Sequence, residues 1–264
     1  MQILSVDHLT VTHLVRQGGG KRQNFNAVHD VSLRVEEGEI VGLVGESGCG
    51  KTSLAMAICA LGKVSSGAIS VVGDDLLGLR GKSLRRARGN VQMVFQDPHV
   101  SLDPRQRLGD GFDELRRIHP DRDIEPSNSK LMERVGLSAK LLDRLPNQIS
   151  GGQAQRISIT RATMLRPRLL LADEPTSGLD ASVQEHILGL LRDFQRRENL
   201  SILFVSHNLA VVRQLCDRAY VMKEGRIVEH GPTQLLFDSP EHEYTRRLIE
   251  AIPGKSVALA GYPS

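Results

Sequence analysis

Tryptophan is absent from the 264 residues, and three tyrosines and six phenylalanines make up the whole aromatic complement. So few rings cannot build a platform on which successive bases of single-stranded nucleic acid stack. Cysteine is scarce. Cys49, Cys59 and Cys216 have neither a zinc nor an iron–sulfur spacing. Their odd number suits a reducing compartment rather than a disulfide framework. No apolar run approaches the length of a membrane span. The opening MQILSVDHLT lacks a basic stretch followed by an apolar core and a small-residue cleavage site, so no secretory signal is expected. An excess of one charge is lacking too. Lys+Arg number 34 against 31 Asp+Glu, a net +3, too mild for the concentrated basic patch of a nucleic-acid binder. Internal repeats are missing, and Gly18–Gly20 is the only low-complexity tract. What is present is ordinary globular composition, 40% hydrophobic and 25% charged. This length builds a sizeable core as one large domain or two small ones.

Residues 3–12 and 27–35 read as strands, separated by a glycine-rich basic loop at 17–24. Ile40 to Val44 is a short apolar run, the pattern of a parallel strand covered on both faces. A glycine-rich turn follows it, and Thr52 to Leu61 reads as a helix. Residues 67–72 and 91–95 are further strands. From Phe95 to about Arg168 the character changes to helix-like spacing broken by Pro98, Pro104, Pro120, Pro126 and Pro146. This predicts a mainly helical insert. Leu169–Ala172 and Ser201–Val205 are buried strands flanking a helix over 181–198. Such alternation predicts an α/β fold with a parallel sheet. Residues 219–230 predict a hairpin turning at Glu224-Gly225, and 254–264 a loose tail.

The chemistry concentrates in a few places. Gly45-Glu46-Ser47-Gly48-Cys49-Gly50-Lys51-Thr52 matches G-x-x-x-x-G-K-[ST] in full, after a strand and before a helix. Its glycines let the backbone wrap a phosphate chain with N–H groups inward. The helix N-terminus adds its positive end. Lys51 is placed to neutralise the β- and γ-phosphates and Thr52 to ligate Mg²⁺. Asp173-Glu174 ends an apolar strand, where ligands bind in α/β sheets. Asp173 can hold Mg²⁺ and Glu174 can polarise an attacking water. Without the phosphate loop the same pair would read as charges at a helix start. Ser150-Gly151-Gly152-Gln153 precedes the helical stretch Ala154 to Leu165. It is either a second anion site or an ordinary N-cap. His207 and Gln96 each follow a strand. His207 can orient water near a γ-phosphate; alone, either reads as structural.

Together and in this order, the motifs resemble those of the nucleotide-binding subunit of ATP-binding cassette (ABC) transporters. The resemblance extends from about residue 3 to residue 252. Gly45 to Thr52 match Walker A, Gln96 the Q-loop, and Ile149-Ser150-Gly151-Gly152-Gln153 the LSGGQ signature. Leu170 to Glu174 match Walker B with its catalytic glutamate. Ser177-Gly178-Leu179-Asp180 match the D-loop and His207 the switch histidine. Ile149 stands where Leu is usual, and Gly178 where Ala is commoner. The resemblance implies a P-loop ATPase with a RecA-like core, an antiparallel β subdomain and an inserted helical signature subdomain. The domain would run over 1–253, with the insert at about 97–168 and the tail at 254–264.

It further implies ATP and Mg²⁺ as ligands and no iron–sulfur cluster. Glu174, His207 and Gln96 would be catalytic, and Thr52, Gln96 and Asp173 would hold the metal. Gly45, Ser47, Gly48, Cys49, Gly50, Lys51, Thr52 and Ser53 would cradle the nucleotide. Ser150, Gly151, Gly152, Gln153 and Asp180 would act across a head-to-tail pair of cassettes. The adenine-stacking position falls near Arg22 by family spacing. Phe25 is the nearest aromatic and the residue assigned.

Asp97-Pro98…Ser101-Leu102-Asp103-Pro104-Arg105 and the ending Ser239-Pro240…His242-Glu243-Tyr244-Thr245-Arg246 resemble the oligopeptide, dipeptide and nickel importer branch. That placement implies a second ABC ATPase subunit, heterodimeric or homodimeric. It also implies two transmembrane permease subunits, an indirect solute-binding protein, no nucleic acid, and a peripheral site on the cytoplasmic face of the cell membrane. The alternative is a soluble ABC ATPase accessory to a phosphonate carbon–phosphorus lyase complex. The Asp-Pro…Ser-Leu-Asp-Pro-Arg run weighs against it. A DNA-repair or chromosome ATPase would carry long coiled coils between Gln96 and Ser150, and sustained heptads are missing there.

Overall fold

In this computed structural model, residues 1–16 and 22–252 are described, without the side chains of residues 15, 16 and 22. The predicted tail at 254–264 and the Gly18–Gly20 triplet lie outside the described residues, as does the Arg22 side chain. The elements in order are β1 (Gln2–Arg16), β2 (Arg22–Glu36), β3 (Ile40–Val44), α1 (Lys51–Ile58), β4 (Ser66–Val71), β5 (Asp74–Asp75), α2 (Gly81–Arg88) and β6 (Val91–Val94). A helical stretch follows with α3 (Leu108–Ile118), α4 (Asn128–Arg134) and α5 (Gly151–Thr163), joined by short 3₁₀ turns. Then come β7 (Leu169–Asp173), α6 (Ala181–Glu198), β8 (Ser201–Ser206), α7 (Leu209–Leu215), β9 (Arg218–Lys223), β10 (Arg226–Pro232), α8 (Thr233–Asp238) and α9 (Glu243–Glu250).

Two sheets divide the strands. One is antiparallel, in the order β2-β1-β4-β5. The other runs β10-β9-β3-β8-β7-β6. Its members are parallel from β9 to β6, with β10 antiparallel at the edge. Strand alternation sorts the apolar residues of this sheet onto two faces. Ile40, Val44, Leu170, Ala172, Ile202 and Phe204 join a core with the helices α3–α7. Val41, Leu43, Leu169, Leu171, Leu203 and Val205 join a second core with β1, β2 and α1. β3, β7 and β8 are buried along their whole lengths. That double coverage is why they read as unbroken apolar runs. Each such Leu, Val or Ile contributes about 1.5–3 kcal/mol.

Several boundaries differ from the expectation. Residues Arg22–Asn24, expected in a loop, continue β2 by pairing with β1. The helix expected from Ala154 begins at Gly151, because Ser150 caps it and recruits the three preceding residues of the helix. The helix expected to reach Leu61 ends at Ile58, and Ala60 turns left-handed at φ 54°. The hairpin at Glu224-Gly225 forms as expected, with both residues at positive φ.

Candidate active site

The carboxyl ends of β3, β8 and β7 lie side by side. Val44 pairs with Ser206, and Val205 with Asp173. Whatever follows these strands must meet at one edge of the sheet, where α/β folds bind ligands. The loop after β3, Glu174 after β7 and His207 after β8 therefore converge. A cavity of about 630 Å³ opens there.

The loop of residues 45–50 is shaped by close approach. A Cβ on Gly50, which sits at φ 107°, would lie 2.1 Å from the Ala27 carbonyl oxygen. A Cβ on Gly45 would lie 2.1 Å from that of Met222. Only glycine fits at either position. Gly50 precedes α1 with no side-chain cap and no acid in the first turn. The first N–H groups of α1 thus keep their capacity for an anion. Lys51 is 5% exposed, and its Nζ donates to the carbonyls of Gly45 and Glu46, both at 2.8 Å. The Cys49 thiol turns inward toward Lys51. Burial raises its pKa, although the nearby ammonium works the other way.

Asp173 is 3% exposed, and its Oδ1 has no hydrogen-bond partner among the described residues. Burial raises its pKa, against the Thr52 hydroxyl; Glu174 adds to the rise and Lys51 opposes it. A buried carboxylate oxygen without a donor, beside a hydroxyl, is an oxygen set that suits a hard divalent cation. Glu174 stands at φ 45°, a left-handed conformation costly for a side chain of its kind. Its own N–H is tied to the Val205 carbonyl at 2.9 Å. The strained turn aims the carboxylate at His207, whose Nδ1 is 3.0 Å away.

Phe25, Gly45, Ser47, Gly48, Gly50, Lys51, Thr52, Ser53, Gln96, Glu174 and His207 all border the cavity. Asp173 lies at the end of β7 against this group. Phe25 is 55% exposed. The sequence reading missed His13, which faces Phe25 across the β1–β2 pair and approaches Ser53 Oγ with Nε2 at 3.0 Å. Nothing in the local sequence marks it, because its place beside Phe25 is set by the register of β1 against β2. Ser177 and Leu248 also border the cavity and were not singled out for it.

Ser150 to Gln153 do not border this cavity. Ser150 and Gln153 form a reciprocal capping box, with Ser150 Oγ accepting from the Gln153 N–H and Gln153 Oε1 from the Ser150 N–H. Asp180 lies outside the cavity as well. It caps α6, accepting from the Ser182 hydroxyl at 2.7 Å and the Val183 N–H at 3.0 Å, and those bonds lower its pKa. One chain thus holds a glycine-rich loop with a buried lysine, a carboxylate pair and a histidine at one site, with the glycine-rich helix start outside it.

Residues 28–177 match the family described as ABC transporter. The chain belongs to that family. It is 43% identical over 235 residues to the oligopeptide transport ATP-binding protein OppF of Salmonella typhimurium, covering 88% of this chain and 70% of the relative. It is 41% identical over 255 residues to the di/tripeptide transport ATP-binding protein DppF of Pseudomonas aeruginosa, covering 95% and 79%. A solved dimer of the ATP-binding cassette MJ0796 in a post-hydrolysis state with ADP and Pi superposes with a TM-score of 0.74 at 25% identity, covering 88% of this chain and 99% of that one. The cassette is an ATPase whose hydrolysis is coupled to transport. Among the described residues no helix is long and apolar enough to cross a membrane.

Proposed function

We propose that this cassette powers an importer of peptides by closing on ATP against a second cassette and reopening after hydrolysis. The observation that carries this is the divided site. The cradle and the Glu174–His207 pair share one cavity, while Ser150 to Gln153 stand outside it. A second cassette packed head to tail would bring its own Ser150 turn over the cradle of the first, and Asp180 would lie at their junction. The names of the relatives support peptides ahead of a nickel or other metal chelate as cargo. They give no support to a phosphonate-processing role.

In this reading the domain spans 1–253. Within the helical insert at about 97–168, the segment from Asp97 to about His119 meets one of two permease subunits on the cytoplasmic face of the membrane, and a solute-binding protein delivers cargo indirectly. The paired cassette is a related, distinct chain, with a second copy of this one as the other arrangement. The loop N–H groups, Lys51, Ser47 and Ser53 bind the phosphates, and Phe25 stacks on the base. Thr52, Asp173 and Gln96 would hold Mg²⁺, which supplies charge neutralisation to the phosphates. Glu174 takes the proton of the attacking water, and His207 holds the Glu174 carboxylate in place and donates toward the γ-phosphate. Recovery of the tagged chain from native cells in mild detergent tests this. Two polytopic permeases with a related ATPase are expected. Recovery of soluble phosphonate-processing enzymes and no membrane subunit would overturn transport.

A further inference from the structure

The His242-Glu243-Tyr244-Thr245 run opens α9, far in sequence from the phosphate loop. Yet Tyr244 is 7% exposed, and its hydroxyl accepts the N–H of Glu46 at 3.1 Å. That N–H belongs to the Gly45–Glu46 peptide, whose carbonyl, on Gly45, accepts from Lys51 Nζ at 2.8 Å. A trans peptide is a rigid plane with N–H and C=O on opposite sides. Tyr244 therefore holds one edge of the plane and the phosphate lysine the other.

Tyr244 is itself held on several sides. Lys223 Nζ sits 5.3 Å from its ring centroid, and the His242 Nδ1 accepts its N–H at 3.0 Å. Glu229, on β10, accepts the N–H groups of Glu241 at 2.8 Å and His242 at 3.1 Å. Leu248, one turn further along α9, reaches the cavity wall.

We propose that Tyr244 is a positioning residue for nucleotide binding: it locks the Gly45–Glu46 peptide plane and so aims the phosphate loop and Lys51, with Glu229 as the clip that sets α9 against the loop. Without the hydroxyl the plane is free to turn, and the Glu46 N–H loses its partner. The inference rests on the loop being the phosphate cradle.

Tyr244→Phe keeps the ring and removes only the hydroxyl, and with it the acceptor for the Glu46 N–H. Calorimetric titration of the chain with ATP is expected to show about fivefold weaker binding, the scale of one lost hydrogen bond. The nucleotide-free melting temperature should fall by no more than a few degrees, the scale of one hydrogen bond, and in the recovered complex the KM for ATP should rise by a larger factor than kcat falls. Glu229→Gln should weaken ATP in the same direction by a smaller factor. Lys51→Ala serves as the reference. If Lys51→Ala loses ATP while Tyr244→Phe binds it as wild type does, Tyr244 has no positioning role. If Lys51→Ala binds normally, the cradle reading itself fails. A fall in the melting temperature of nucleotide-free Tyr244→Phe well beyond that of one hydrogen bond, with kcat lost as much as KM is raised, would also overturn the proposal, since it would mark a general packing role.

Discussion

His207 Nδ1 lies 3.0 Å from a carboxylate oxygen of Glu174, two residues that close adjacent parallel strands. The contact spans the strand ends, so neither residue needs a long loop to find the other. The carboxylate is largely shielded and the imidazole half-exposed, with side-chain exposures of 14% and 57%. A base fixed by a neighbour and shielded from bulk water is suited to take a proton from one bound water.

Glu174→Gln should leave the geometry intact and remove the proton acceptor. Turnover should fall by about 10²–10⁴-fold, the usual share of a general base. ATP should still bind, and the variant should accumulate as a nucleotide-bound dimer. Phosphate release and size-exclusion chromatography with ATP check this; full hydrolysis would remove Glu174 from its role. His207→Ala should likewise lower kcat and leave the affinity for ATP near wild type.

Lys51→Ala strips the loop of a buried ammonium and leaves the Gly45 and Glu46 carbonyls without their donor. ATP affinity should fall at least about thirtyfold, ~2 kcal/mol, as expected for a lost charge-assisted bond. Filter binding with labelled ATP reads it directly. Unchanged affinity would count against the cradle.

Gly152 is set by packing as well as by signature. A Cβ there would stand 2.7 Å from Val183 Cγ1 on α6. Valine has few rotamers to give way. Gly152→Ala should cost about 1–3 kcal/mol from overpacking. The double variant with Val183→Ala should recover part of that loss in chemical denaturation. Equal stability of the single and double variants would remove the Val183 contact as the constraint on Gly152.

Glu229 gives a pH signature. Burial works to raise its pKa, but the Thr245 hydroxyl beside it and the N–H groups of Glu241 and His242 outweigh that, so the net shift is downward from the ordinary 4.5. A carboxyl with a lowered native pKa adds stability above its unfolded value and loses it as pH falls through the native one. Wild type should therefore lose stability relative to Glu229→Gln below about pH 4.5. Denaturation midpoints measured from pH 7 down to pH 3 should converge for the two proteins. A constant gap across that range would remove Glu229 as the cause.

The strands beside the site were legible because both faces of the parallel sheet are covered, which writes an apolar run into the sequence. Helix α6 was legible from end to end through its 3.6-residue pattern. Helix α2 was not: within GKSLRRAR only Ala87 is buried, so no apolar stripe marks it. The helices α7, α8 and α9 are six to eight residues long. That is too short to display a period.

The order of motifs from Gly45 to His207 was readable because the phosphate and metal contacts expected of them demand particular residue types at a fixed local spacing. Glycines must sit where a Cβ would meet a carbonyl, and a lysine and threonine must begin the helix. Local chemistry of that kind is recorded in consecutive residues. The partners that hold it from a distance are not. Strand order and register bring His13 to Phe25 and Glu174 to His207. The return of the chain through β10 and α9 brings Tyr244 to Glu46, 198 positions away. Those contacts depend on loop closure and packing across the whole sheet, and only the folded chain settles which distant residues meet.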